Sequence, residues 1–154
     1  MEGLLATIEA LPPVEALRFS RWGYAAVNTA HVLGLATLFG SILALDLRLI
    51  GFWRGTDLAP LLRVLRIVAA VGLTLAAATG AALFATRAGQ YAGLGIFQLK
   101  MALVLLGALA ALAAATGGGL GGASHARRRA HGVVSLLAWT GALVSGRLIA
   151  FLGE

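Results

Sequence analysis

Cysteine is absent from the 154-residue chain, which excludes disulfides, iron–sulfur clusters and thiolate metal sites. Charge is scarce: Asp, Glu, Lys and Arg make up 12 % of the residues, against about 25 % in an average soluble domain. Methionine occurs only at positions 1 and 101, so thioether ligands for a soft metal are nearly lacking. No Ser–His–Asp set, paired carboxylates or phosphate loop is present. The glycine run "GGGLGG" lacks the Lys-Ser/Thr of a nucleotide-binding loop and follows no strand, so it reads as a linker. These absences lead us to expect no enzymatic activity from the chain alone.

What is present is apolar. Hydrophobic residues make up 60 % of the chain and the mean hydropathy is +0.92, which places it in the membrane class. The net charge of +6 does not point to nucleic acid, because the basic residues lie between the apolar runs, where positive charge sets orientation. The start, "MEGLLATIEALPP", carries acidic residues where a signal peptide needs positive ones, so it is expected to be retained.

Four segments are long enough to cross a bilayer, which takes about 20 helical residues. They cover about 22–47, 67–86, 97–115 and 132–152. Before them, Leu4, Leu5, Ile8 and Leu11 recur at helical spacing, predicting a short interfacial amphipathic helix over about 2–11 that "LPP" terminates. The fold class predicted is therefore all-α: one domain over 1–154, a four-helix transmembrane bundle with an interfacial N-terminal helix.

The connector after the first span carries Arg48, Arg54, Arg63 and Arg66 around Phe52 and Trp53, and the one before the last span carries Arg127, Arg128 and Arg129. Its glycines predict a flexible loop. The opposite side holds Arg18, Arg21, Arg87, Lys100 and Arg147. This asymmetry favours both termini on the non-cytoplasmic side of a bacterial inner membrane. Small residues recur four apart, as in Gly72–Ala76–Gly80 and Gly107–Ala111–Ala115, a spacing that lets helix backbones approach closely.

The stretch "AVNTAHVLGLATLFGSILALDLRL" carries polar residues that hydrocarbon disfavours. On a wheel of about 100° per residue, Tyr24, Asn28 and Asp46 all fall within roughly 60° of His31, so this face points into the bundle. Depth separates them: His31 and Asp46 lie roughly 22 Å apart along the helix. Asp46 is read as half of a structural ion pair with Arg48, Arg63 or Arg66. At the other end His31, Asn28, Tyr24, Arg147, Gln98 and Lys100 form the candidate ligand or cofactor pocket. Simple snorkelling of Arg147 and Lys100 is the plainer reading of the same residues.

Several occupants are considered for that pocket. A b-type haem needs axial ligands at one depth, yet His131 starts the last span at the opposite side from His31 and His125 lies in the loop on that side. Copper or zinc needs several imidazole or soft ligands together, so no metal site is assigned, and a small metal or solute transporter stays a distant option. A lipid headgroup, a quinone carbonyl or an acidic partner suits a positive, hydrogen-bonding pocket best. The leading expectation is a non-enzymatic accessory subunit that packs against membrane lipids, other membrane subunits or itself, with no nucleic-acid partner. The alternative is a redox protein that binds haem or quinone through His31.

"HVLGLATLFGSILALDLRLIG", "YAGLGIFQLK" and "W…GRLIAF" resemble the pattern of small uncharacterised bacterial four-helix integral membrane proteins, over about residues 22–151. The start of the first span is also distantly similar to the copper-resistance D membrane family. The first resemblance implies the fold and an inner-membrane location, and no activity. His31, Asp46, Arg48, Lys100, Trp139 and Arg147 match its pattern.

Overall fold

The computed structural model describes residues 2–116 and 119–152. Part of the glycine linker, residues 117 and 118, lies outside them. The described residues form seven α-helices and no strand: α1 (Glu2–Glu9), α2 (Pro12–Phe19), α3 (Arg21–Ile50), α4 (Leu58–Ala85), α5 (Ala88–Ala92), α6 (Gly95–Thr116) and α7 (His125–Leu152). The chain is thus all-α, and α3, α4, α6 and α7 are long and apolar enough to cross a membrane.

These helices outrun their apolar cores. The second long helix begins at Leu58 rather than near 67, and the last begins at His125 rather than near 132. Pro60 falls in the first turn of α4, where its missing N–H removes no helical bond. At α7 the Ser124 hydroxyl accepts from the Arg127 amide (3.3 Å) and caps the turn. Arg127–Arg129 therefore stand on the first turns of a helix, and the Arg128 guanidinium donates to the carbonyls of Leu120 (2.7 Å) and Gly121.

The N-terminal region is two short helices rather than one. Prolines 12 and 13 occupy the first positions of α2, and Leu11 before them is extended, as the residue before a proline tends to be. Ser20 then separates α2 from α3 and caps α3 by accepting from the Gly23 amide. Glu9 tethers α1 to the far connector: its Oε1 accepts from the Gly89 amide at 2.7 Å, and its carboxylate meets Arg18 at 3.6 Å.

Around the bundle the order is α4, α3, α7, α6, with sequential helices antiparallel. Glycine decides the α3–α4 contact. A Cβ on Gly34 would lie 2.7 Å from the Ala76 amide, and one on Gly72 would lie 2.5 Å from the Leu38 amide. Backbone meets backbone there, the close approach that small residues permit between apolar helices. The stripe Gly72–Ala76–Gly80 is thus used inside the bundle. On the α6–α7 seam Gly107 admits the Trp139 ring, and on the α3–α7 seam Gly132 lies against the Asp46 carbonyl.

The outer pair, α4 and α6, meets at its ends. Phe84 stacks on Phe97 with ring centroids 5.2 Å apart. At the arginine-rich end Leu62 joins Leu49, Ala114 and Leu120 in a buried cluster. Between these contacts the two helices leave a cleft floored by α3 and α7.

Candidate functional site

A pocket of about 360 Å³ opens where the first turns of α3 and α6, the last turns of α4 and α7, and α5 converge. Tyr24, Asn28 and His31 descend one wall at intervals of four and three residues, which stacks them on one helix face. Lys100 faces them from α6, and Arg87 and Tyr91 come from the connector. Leu83, Phe84, Phe97 and Ile149 supply an apolar lining. Among the described residues no carboxylate lines the pocket.

His31 is held in one orientation. Its Nδ1 lies 2.9 Å from the Ala76 carbonyl and 3.1 Å from Thr79 Oγ1. The carbonyl only accepts, and the Thr79 hydroxyl spends its proton on the Leu75 carbonyl at 2.6 Å. Both partners of Nδ1 are therefore acceptors, so Nδ1 carries the hydrogen and Nε2 is left as a lone-pair acceptor. The ring fits because residue 80 is glycine: a Cβ there would stand 2.9 Å from Cε1. Outside the long helices, burial raises the Tyr91 phenol above its ordinary pKa, the neighbouring Tyr24 adds to this, and Arg87 opposes it. Tyr91 thus stays a neutral donor.

The pocket gathers Tyr24, Asn28, His31 and Lys100 but not Arg147 or Gln98. Gly146 is the α7 residue that faces Lys100, with a Cβ position 3.5 Å from Cε. Arg147, about 100° further round the helix, turns outward and lies over the Phe151 ring at 5.2 Å. Gln98, two residues before Lys100 and so on the opposite face of α6, is exposed and donates to the Ala92 carbonyl (3.1 Å). Arg87 supplies the second cation in their place. Its position just after an apolar helix end was the available signal.

At the other end Asp46 is buried, with 2 % of its surface exposed, and the expected ion pair is absent. Its hydrogen-bond partner is the Ser135 side chain on α7. Arg48 sits on another face of α3 and donates to the carbonyls of Thr56 (3.0 Å) and Arg54 (3.3 Å). Arg66 donates to the Ala114 carbonyl at 3.0 Å, and Arg63 is exposed. Carbonyls of loops and helix ends have taken the guanidinium donors. Among the described residues the one salt bridge is that between Arg18 and Glu9.

His31 and His131 line different cavities. Among the described residues no three His, Cys, Asp or Glu side chains gather as a metal cluster. No protein-family model, curated protein or solved structure matches the chain.

Proposed function

We propose that the chain is a non-enzymatic accessory component of a membrane assembly, inserted through its four long helices, that binds an anionic lipid headgroup in the polar pocket. The observation that carries this reading is the convergence of Lys100, Arg87 and His31 with two phenols in a pocket that no carboxylate of the described residues lines. Cationic and N–H or O–H donors suit a phosphate. The bare Nε2 of His31 suits a hydroxyl beside it, as in a phosphoglycerol headgroup. Leu83, Phe97 and Ile149 would flank the first carbons of the chains. Arg48, Arg54, Arg63 and Arg66 around the 51–57 connector and Arg127–Arg129 at the α7 start favour the cytoplasmic side for that end, which would leave this pocket on the opposite face.

Native mass spectrometry of the detergent-solubilised protein tests the reading. Phosphatidylglycerol should remain bound under conditions that strip phosphatidylcholine, and Lys100→Ala with Arg87→Ala should abolish the difference. Equal retention of both lipids by the native chain would overturn it.

A second reading rests on the geometry of His31. An imidazole whose Nδ1–H is fixed on a carbonyl presents Nε2 as a ligand, here to the iron of a b-type haem. Among the described residues the pocket offers one such histidine and no methionine, which would suit a single protein ligand alone. A visible spectrum with and without dithionite decides it: a Soret band lost in His31→Ala favours haem, and a colourless native protein removes it.

A further inference from the structure

His31 has one ring nitrogen committed and one open. Nδ1–H is fixed between the Ala76 carbonyl and Thr79 Oγ1, so Nε2 presents a lone pair and takes only a donor. The ring stands over Gly80, whose missing Cβ leaves room for it, and both residues line the polar pocket. Asn28 lines the same wall about 4.5 Å away along the helix axis. It is exposed, and its amide accepts at one atom and donates at the other. The α3 wall is therefore neutral and hydrogen-bonding, with acceptors at two depths. Lys100 of α6 and Arg87 of the connector bring cations from other walls.

That division sorts the anionic headgroups. A phosphate meets Lys100 and Arg87 in all of them, so discrimination falls to the atoms beyond it. A phosphoserine would bring an ammonium toward the two cations, with no carboxylate of the described residues in the pocket to receive it. Its own carboxylate only accepts, and Nε2 has no hydrogen to give. A phosphomonoester ends at the phosphate and leaves the α3 wall unmet. A phosphoglycerol ends in two hydroxyls, each a donor and an acceptor. One can donate to His31 Nε2 and the other to the Asn28 amide oxygen, and glycerol is the smallest headgroup that does both.

We infer that His31 and Asn28 are the specificity-determining residues of the polar pocket, selecting a phosphoglycerol headgroup among anionic lipids by its hydroxyls rather than by its charge. The inference rests on the proposed binding of an anionic lipid there. Thr79 is a positioning residue. Its hydroxyl proton is spent on the Leu75 carbonyl, which leaves it an acceptor for Nδ1–H and keeps Nε2 bare.

Phosphatidylmethanol supplies the control, because it carries the same phosphodiester charge and no hydroxyl. The test is native mass spectrometry of the full chain in detergent at pH about 8, well above the ordinary imidazole pKa. Phosphatidylglycerol should bind about tenfold tighter than phosphatidylmethanol, the worth of two modest hydrogen bonds. His31→Phe and Asn28→Ala should each lower that preference to about threefold and together remove it, with phosphatidylmethanol retention unchanged in all three variants. Nitrogen NMR of isotopically labelled histidine gives a readout on the native chain: the unprotonated Nε2 signal should move with phosphatidylglycerol and not with phosphatidylmethanol. Thr79→Val should admit a share of the Nε2–H tautomer, and Thr79→Ser should restore the single one. Soluble glycerol phosphate at the same concentration should not displace the lipid, and displacement would overturn the lipid as the source of the headgroup. A native chain that holds phosphatidylglycerol and phosphatidylmethanol equally, or variants that keep the full preference, would overturn the inference. Equal retention of phosphatidylmethanol and phosphatidylcholine would instead overturn the anionic-lipid reading beneath it.

Discussion

A single missing Cβ governs His31. The imidazole occupies the space that a side chain at residue 80 would fill, and its Nδ1–H reaches Ala76 and Thr79 from there. Gly80→Ala should therefore tilt the ring out of its two bonds while leaving Lys100 and Arg87 in place. We expect weakened phosphatidylglycerol retention and a loss of about 1 kcal/mol in stability, read by native mass spectrometry and by thermal unfolding in detergent. Thr79→Val, which removes one acceptor but keeps the Ala76 bond, should show the milder form of the same change. The inward direction of His31 was legible, because Tyr24 and Asn28 share its helix face. The split between Lys100 and Gln98 was equally legible in their two-residue spacing. So was the failure of Arg48 to reach Asp46, since residues two apart on a helix point to different sides. Ser135 as the partner of Asp46 was not legible, because it depends on the depth at which α7 crosses α3.

Glycine contacts set how the helices sit together. At Gly34 and Gly72 the added methyl would run into backbone atoms of the facing helix, and backbone cannot rotate out of the way as a side chain can. Gly72→Ala should force α3 and α4 apart and lower stability by about 1–3 kcal/mol, the usual cost of overpacking. Gly55→Ala, in open space, should leave the melting temperature unchanged. The difference between the two melting temperatures is the measurement. Four apolar runs sufficed to find the long helices, since hydrocarbon length fixes a minimum number of residues. Their true starts at Leu58 and His125 did not show in hydropathy, because Arg63 and Arg66 interrupt the early turns of α4 and Arg127–Arg129 those of α7, and the starts themselves are set by Pro60 and the Ser124 cap. The break between α1 and α2 was foreshadowed by the two prolines.

The absence of cysteine in the whole chain makes its proposed orientation directly measurable. Gly55→Cys and Gly93→Cys place single thiols in opposite connectors, where added atoms meet nothing closer than 3.9 Å. With the proposed orientation, a membrane-impermeant maleimide should label residue 93 in intact cells and residue 55 only after permeabilisation. The reverse pattern would move the polar pocket to the cytoplasmic face. Which helices neighbour one another was not legible, because hydropathy carries no information on partner choice. The gap between α4 and α6 arises from that order, since each spends its small-residue face on an inner helix. The same order divides the chain into two antiparallel hairpins, α3–α4 and α6–α7, joined along a seam in which Asp46, Gly132 and Trp139 are buried. A seam of that kind does not require an intact main chain between residues 121 and 122. Two separately translated halves, co-expressed and tagged at one end each, should find one another in the bilayer and purify together.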